Sequence, residues 1–238
     1  MIGIRKKPVD SDDVVTTTAT SISIKNIKYK VNLEQYESVN TYEFDHVFNE
    51  LQGNLSIYRA LLKKSITKQK NTICYTFGET GSGKTHTLFG KKLNVTREFG
   101  LIEASLYDLL KKTKFAEITA FEIYNNKLYD LVLGDNHEAY IYEKQGEIYI
   151  DGLNIFGCNI DNIPKFIETI MENRRVGISS QNNKSSRSHV IVKILSENTN
   201  LILKSKDISE LLRDCDKCVL MCATLGFNIE INIRRYSY

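Results

Sequence analysis

The stretch FGETGSGKTHTLFG, Phe77–Gly90, decides the fold. It contains the spacing Gly-x-x-x-x-Gly-Lys-Thr, in which glycines let backbone N–H groups turn towards phosphate oxygens. The apolar run NTICYTF before it predicts a buried strand, and a helix is expected to begin at Lys84. A strand, a glycine-rich loop and a helix in this order favour a phosphate-binding loop over a plain glycine turn, because the helix adds its positive N-terminal end.

Each part of this loop has an expected role in holding a nucleotide. Lys84 is expected to bridge the β- and γ-phosphates, and Thr85 to place its hydroxyl on Mg²⁺. The expected phosphate-binding set is Gly78, Glu79, Thr80, Gly81, Ser82, Gly83, Lys84 and Thr85.

A second polar motif, NNKSSRSH at Asn182–His189, precedes the strand-like run HVIVKIL. Taken alone, a serine-rich stretch of this kind indicates a surface turn. Beside a phosphate-binding loop, its hydroxyl and amide groups can ligate Mg²⁺ and contact a γ-phosphate, and the segment can become ordered only when that phosphate is present. The pair of motifs therefore indicates a nucleotide switch.

The remaining sequence alternates strand-like and helix-like segments, which predicts one α/β domain with a sheet covered on both faces. Alternating or apolar runs predict strands, and apolar residues at helical spacing predict helices. The predicted strands are TSISIK, TYEFDHVF, NTICYTF, EITAFEIY, HVIVKIL and CVLMCATL, with a hairpin in EAYIYEKQGEIYIDGL. The predicted helices cover Leu51–Leu62, a segment from Lys84, Leu101–Leu110, and Ile163–Met171 with Pro164 in its first turn.

Composition is that of an ordinary globular domain: the 238 residues are 42% hydrophobic and 26% charged. The net charge of +3 is too small to favour nucleic acid as a partner. No apolar run reaches the roughly 18 residues of a membrane span, and the charged start MIGIRKKPVD differs from a signal peptide. We therefore expect a cytoplasmic protein with no membrane partner. Cys215 and Cys218 form a C-x-x-C, but without a second ligand pair they favour packing over zinc binding.

Taken together, the two motifs resemble those of the kinesin motor domain. Further stretches similar to this family are IRKKP, YEFDHVF, FEIYNNKLYDLV, YIDGLNIFGC and ENRRVGISSQNNKSSRSH, in the family's order from Ile4 to Leu195. The resemblance implies a kinesin-type P-loop fold with a central mostly parallel or mixed sheet and helices on both faces. It also implies one motor domain over 1–238, with a nucleotide-binding part at 1–203 that ends after switch I and a reduced remnant of the C-terminal part at 204–238.

The same resemblance implies ATP as the nucleotide, with Mg²⁺. By motif, Arg5 and Pro8 would flank the adenine and His86 would stack on it. Two small departures are Lys7, which replaces a second arginine of the first strand, and Glu79, which replaces a glutamine.

The switch I motif supplies the catalytic residues that the resemblance implies: Asn182, Ser185, Ser186 and Arg187. Ser186 would join Thr85 at the metal, and the first three residues would lie near the γ-phosphate. Arg187 would be the arginine that pairs with a glutamate of switch II.

Switch II is the large departure from the family. Its run Asp-Leu-Ala-Gly-Ser-Glu is absent, and no aspartate in the chain is followed three residues later by glycine. NLIL resembles the start of the strand that leads to switch II, whereas SKDISELLRDCDKCVLMCATL resembles a later helix and core strand. We interpret this as an internal deletion between Leu203 and Ser205 that also removes the following microtubule-binding helix. Nucleotide binding depends mostly on the glycine-rich loop, so we expect ATP to bind. Hydrolysis is expected to be weak, because one missing preorganised group costs about 10²–10³ in rate.

Four functional hypotheses follow. The first is a kinesin-type ATPase with weak binding to microtubules (tubulin), located in the cytoplasm on the cytoskeleton. The second is a non-motile nucleotide-binding module that acts through a partner motor chain, and the third is a truncated gene product without a stable fold. An unrelated P-loop kinase or GTPase is disfavoured, because the GTPase motif Asn-Lys-x-Asp is absent and NNKLYD has the wrong spacing.

Overall fold

The structure is a computed structural model of the chain. It describes residues 1–7, 14–29, 35–78, 81–92, 97–124, 127–134, 137–144, 147–179, 188–197, 199–205 and 219–225.

Sixteen strands and five α-helices are present in the described residues. The strands are β1 (Ile2–Lys6), β2 (Val15–Thr17), β3 (Ser21–Tyr29), β4 (Gln35–Glu43), β5 (His46–Phe48), β6 (Thr72–Phe77), β7 (Gly90–Lys92), β8 (Arg97–Phe99), β9 (Ala116–Tyr124), β10 (Lys127–Asp130), β11 (Glu138–Lys144), β12 (Glu147–Asp151), β13 (Phe156–Cys158), β14 (Ser188–Ser196), β15 (Thr199–Ser205) and β16 (Val219–Leu225). The helices are α1 (Asn54–Leu61), α2 (Lys63–Thr67), α3 (Lys84–Phe89), α4 (Leu101–Thr113) and α5 (Ile163–Ser179).

One mixed sheet of eleven strands forms the centre of the molecule. Its order is β12-β11-β10-β9-β14-β15-β6-β16-β1-β5, with β13 paired to β9. The strands β15, β6, β16, β1 and β5 pair parallel with one another, and the strands from β12 to β15 pair antiparallel. The α/β class and the mixed sheet expected from the sequence are therefore confirmed.

Alternation along the inner strands divides the core between the two faces of the sheet. On β14, Val190, Val192 and Ile194 belong to the main core cluster, whereas Ile191 belongs to a smaller second cluster. Adjacent residues of a strand point to opposite faces, so both faces bury apolar side chains here. The continuous apolar run HVIVKIL in the sequence reflects this two-sided burial.

The five described helices share the main core cluster and meet around α4, which contacts α1, α2, α3 and α5. On α5, Ile163, Phe166, Ile167 and Ile170 are fully buried, as the helical spacing predicts. Pro164 is the second residue of this helix, where its missing N–H costs nothing. None of the helices in the described segments is long and apolar enough to cross a membrane.

The predicted helix at Leu51–Leu62 is wrong in its start and in part of its buried face. The helix begins only at Asn54, after Gly53 in an extended conformation. Leu51 lies before the helix and is 90% exposed, and Leu55 is 39% exposed. The buried positions are Asn54, Ile57, Tyr58 and Leu61, so an asparagine takes a place on the inner face that the apolar pattern assigned to leucine.

The single strand predicted from TYEFDHVF is divided in the structure. Its first part ends β4 at Glu43, and its last part is β5, which pairs with β1 in the central sheet. The other predicted strands, the hairpin β11–β12 and the helices that begin at Lys84 and Leu101 are confirmed.

A short hairpin of β7 and β8 connects α3 to α4 and turns the chain back over the end of α3. Gly90 has φ +77°, and a Cβ atom there would lie 2.0 Å from the carbonyl oxygen of Glu98. Only glycine fits this close approach. The hairpin thereby carries Glu98 back towards the residues at the start of α3.

Candidate nucleotide-binding site

The glycine-rich loop leaves β6 at Phe77 and enters α3 at Lys84. β6 is a central strand, hydrogen-bonded to β15 on one side and β16 on the other, so the loop begins from a fixed position. Gly81 has φ +81°, and the space where its Cβ would lie contains no heavy atom within 4 Å. The space beside Gly81 is therefore open.

Two lysines donate hydrogen bonds to carbonyl groups of this loop. Lys84 Nζ donates to the Gly78 carbonyl at 2.6 Å, and Lys7 Nζ donates to the Gly81 carbonyl at 2.9 Å. Both ammonium groups thus lie against the loop. This concentration of positive charge fits an anionic ligand such as a phosphate chain. Lys7, which departs from the family pattern, contributes directly to it.

A buried arginine from α5 lies behind Thr85. Arg174 donates to Thr85 Oγ1 at 3.0 Å and to Glu122 Oε1 at 3.3 Å, and only 7% of the arginine is exposed. A hydroxyl oxygen has two acceptor lone pairs, so Thr85 retains one that could bind a cation. The helix that precedes the second motif is therefore joined to the phosphate-binding loop by a charged hydrogen bond.

A second group of polar residues lies at the other side of α3. Arg5 of β1 donates to Asn54 Oδ1 at 2.6 Å and to Thr87 Oγ1 at 3.0 Å. Asn54, which is 1% exposed, donates from Nδ2 to the His86 carbonyl at 2.9 Å. Arg5, expected to flank an adenine, and His86, expected to stack on it, are thus brought together by the first residue of α1.

Glu98 of β8 completes this group. Its Oε2 lies 2.8 Å from His86 Nε2, and its Oε1 accepts the Asn54 backbone N–H at 3.2 Å. Partial burial acts to raise the pKa of Glu98, but the Asn54 N–H, the His86 ring and the Arg5 charge together hold that pKa below its ordinary value. Glu98 is therefore an ionised acceptor, and His86 Nε2 carries the proton that they share.

The described part of the chain contains about half of the site predicted from sequence. Eight predicted residues lie together around the start of α3: Arg5, Gly78, Gly81, Ser82, Gly83, Lys84, Thr85 and His86. The others lie outside the described residues: Pro8, Glu79, Thr80, Asn182, Ser185, Ser186 and Arg187. Cys215 and Cys218 of the C-x-x-C lie outside them as well.

Sequence reasoning missed the residues that form hydrogen bonds to the predicted site residues or support those bonds. They are Asn54, Glu98, Glu122 and Arg174, and each bonds to a residue at least 12 positions away. Asn54 interrupts the apolar spacing of α1, which is a detectable signal of a buried polar role. Glu98 and Glu122 carry no local signal, and the only signal at Arg174 is its place in the kinesin-like stretch ENRRVGISS.

Comparison with known proteins agrees with this geometry. The family model of the kinesin motor domain matches residues 5–215. The chain belongs to the kinesin motor domain family. The matched region extends beyond Leu195, the last residue of the kinesin-like stretches in the sequence, and it includes all the predicted site residues named above.

A curated relative is also a kinesin. The kinesin-like protein KIN-13B of Arabidopsis thaliana is 28% identical over 202 residues, which are 80% of this chain and 29% of that protein. The chain therefore spans less than a third of the length of this relative. Kinesin motor domains generally bind nucleotide with Mg²⁺ and hydrolyse it, and the loop geometry of this chain fits that general property.

Proposed function

We propose that this chain is a kinesin-like motor domain that binds Mg–ATP and hydrolyses it slowly. The observation that supports binding most directly is the glycine-rich loop between β6 and α3, to whose carbonyl groups Lys84 and Lys7 donate hydrogen bonds. On this proposal, Lys84 and the loop N–H groups hold the phosphates, and Thr85 holds Mg²⁺. The adenine lies beside Arg5 and Pro8, with its ring stacked on His86.

The residues proposed for hydrolysis are those of the second motif: Asn182, Ser185, Ser186 and Arg187. Mg²⁺, held by Thr85 and Ser186, would neutralise charge on the phosphates. The proposal for these four residues rests on the match of their motif to the family, and α5 and β14 are the described elements on either side of it.

We propose that hydrolysis is slow because the segment after β15 is too short to contain switch II. β15 and β16 both pair parallel with β6, on its opposite sides, and residues 206–218 join them. A crossover between parallel strands needs about a dozen residues. This segment therefore has the length of the crossover alone, without an additional loop and helix. The positions of NLIL on β15 and CVLMCATL on β16 support the interpretation of an internal deletion near Leu203–Ser205.

Loss of switch II and the helix after it also predicts weak coupling to microtubules. A signal from the nucleotide reaches a distant surface only through an element whose two states both sites bias. Without that element, attraction to the acidic tubulin surface depends on surface lysines and falls with salt. A non-motile module that acts through a partner motor chain is the second candidate, favoured by the same missing segment.

Nucleotide binding is tested by titration of a fluorescent ATP analogue with Mg²⁺. Lys84→Ala is expected to abolish binding, whereas Lys165→Ala, an exposed lysine of α5, is the matched control and should bind as the wild type does. Equal affinity of Lys84→Ala and the wild type would contradict the proposal.

Motor activity is tested by steady-state phosphate release with and without polymerised tubulin, at low and moderate salt. We expect a slow basal rate and little stimulation. Stimulation of the size seen for an intact motor would show that another segment has taken over the coupling. No stimulation, with nucleotide binding retained, would favour the non-motile module. Switch II codons in the genomic sequence around Leu203–Ser205 would instead mean a gap in the gene model, and the transcript would identify a truncated gene product.

A further inference from the structure

Three residues from three separate elements, Asn54, His86 and Glu98, form a closed hydrogen-bonded ring on the adenine side of the site, and Arg5 from a fourth element is bonded to it. Arg5 of β1 donates to the Asn54 side chain, whose Nδ2 donates to the His86 carbonyl. The ring closes through Glu98, which bonds to the Asn54 backbone and to the His86 imidazole. The chain segments that these bonds join are β1, the start of α1, α3 and β8.

Each polar group of the two connecting residues is used. Glu98 places one carboxylate oxygen on each neighbour, and the Asn54 side chain uses its oxygen for Arg5 and its nitrogen for His86. Rotation of the His86 ring would therefore break the contact with Glu98. A neutral imidazole can carry its proton on either nitrogen, and the carboxylate selects Nε2 because it can only accept.

We propose that Glu98 is a positioning residue for the nucleotide base, acting through His86, and that Asn54 sets the distance between His86 and Arg5. This inference rests on the proposed function, because it requires adenine to stack on His86. Glu98 itself makes no contact with the base. Its effect is to hold the imidazole in one orientation before the nucleotide binds. The ring then loses no rotational freedom on binding, and the affinity is not reduced by that entropic cost.

A purely structural role for Glu98 makes a different prediction. If Glu98 only bonded the hairpin β7–β8 to α1, its loss would weaken the binding of every ligand of the loop equally, whether or not the ligand contains a base. A positioning role through His86 affects only ligands that contain the base, and it disappears when His86 is absent. Two ligands and a double-mutant cycle therefore separate the two roles.

The experiment measures the affinity of Mg–ADP and of Mg–pyrophosphate by calorimetric titration. The variants are Glu98→Ala, Glu98→Gln, His86→Ala and the double variant Glu98→Ala/His86→Ala. Glu138→Ala is the matched control, since Glu138 is a carboxylate of equal exposure (32% against 31% for Glu98) that pairs with Lys127 and lies on β11, five strands away from β6.

Glu98→Ala and His86→Ala are each expected to weaken ADP binding about tenfold, the usual contribution of one stacked base. The double variant should lose no more than either single variant, and pyrophosphate binding should stay unchanged. Glu98→Gln should remain within about twofold of the wild type, because the amide oxygen can accept from Asn54 while the amide NH2 donates to His86 Nε2, with the imidazole proton moved to Nδ1. The control Glu138→Ala should match the wild type with both ligands.

Three results would overturn the inference: unchanged ADP affinity in Glu98→Ala, additive losses in the double variant, or equal loss of ADP and pyrophosphate. If His86→Ala weakens ADP binding and Glu98→Ala does not, the inference alone fails and the proposed base site stands. If His86→Ala leaves ADP binding unchanged, the base site fails with it. Should Glu98→Ala not fold, Glu98→Asp keeps the charge, cannot span both contacts, and should show the same selective loss.

Discussion

The buried pair of Arg174 and Glu122 makes a large and specific contribution to stability. The side chains are 9% and 11% exposed, and the arginine also bonds to Thr85. Replacing Arg174 with alanine leaves the Glu122 carboxylate buried without its charge partner, which costs about 3–5 kcal/mol. Against a typical total of about 5–15 kcal/mol, this change would remove a large part of the stability of the domain.

Urea unfolding followed by circular dichroism measures this effect. With a slope of about 2–3 kcal/mol per molar urea, the midpoint should fall by about 1–2 M. The double variant Arg174→Met/Glu122→Met removes both charges and fills similar volume, so it should lose much less than Arg174→Ala alone. A loss below about 1 kcal/mol in Arg174→Ala, or an equal loss in the double variant, would refute the argument from the unpaired carboxylate.

Three further outcomes can be measured by the same method. Gly90→Ala should lower the free energy of unfolding by at least about 3 kcal/mol, because its Cβ would lie 2.0 Å from a carbonyl oxygen and its φ is +77°. Gly81→Ala has φ +81° but open space around its Cβ, so it should lower that free energy by only about 1–2 kcal/mol. Equal losses in the two variants would contradict this reasoning. Tyr58→Phe removes the hydrogen bond from a buried hydroxyl to Asp108 at 2.9 Å and should cost about 1 kcal/mol; no loss would mean that water replaces the tyrosine. Burial raises the pKa of the Cys158 thiol to about 11, so stability should be full below its ordinary value of 9.0 and decrease as the pH rises through about 11. Cys158→Ala should remove that part of the pH dependence, and an unchanged profile would contradict the assignment.

The order of secondary-structure elements could be predicted because each has a local signal. The strand β6, the loop after it and the helix α3 follow from apolar runs, glycine spacing and helix propensity within some twenty residues. The hairpin β11–β12 likewise follows from alternation around a short polar turn. The buried face of α1 was predicted incorrectly because the helix begins only after Gly53. Asn54 is buried because its side chain bonds to Arg5 and His86, which the local apolar pattern does not reveal.

The candidate site could be predicted only where a motif names its residues. The loop and Arg5 were found in this way, but their supporting partners were not, since hydrogen bonds such as Arg174 to Thr85 join positions 89 residues apart. Burial of Glu122 and Arg174 as a pair depends on how α5 packs beside β9, which no single segment encodes. Such contacts become visible only when the tertiary structure is known.

The position of β6 at the middle of the sheet has a consequence for biosynthesis. Both strands that pair with it, β15 and β16, come from residues after Thr199, so the backbone groups of β6 have no sheet partner when that strand leaves the ribosome. About 150 residues must still be translated before β16 is available, which takes roughly 10–30 s at usual elongation rates. During that interval the nascent chain presents an apolar strand with two unpaired edges, the kind of segment that promotes aggregation and recruits chaperones. The chain therefore cannot complete the sheet on both sides of the strand that leads into its phosphate-binding loop until β16 has been translated, and we expect nucleotide binding to begin only after that point.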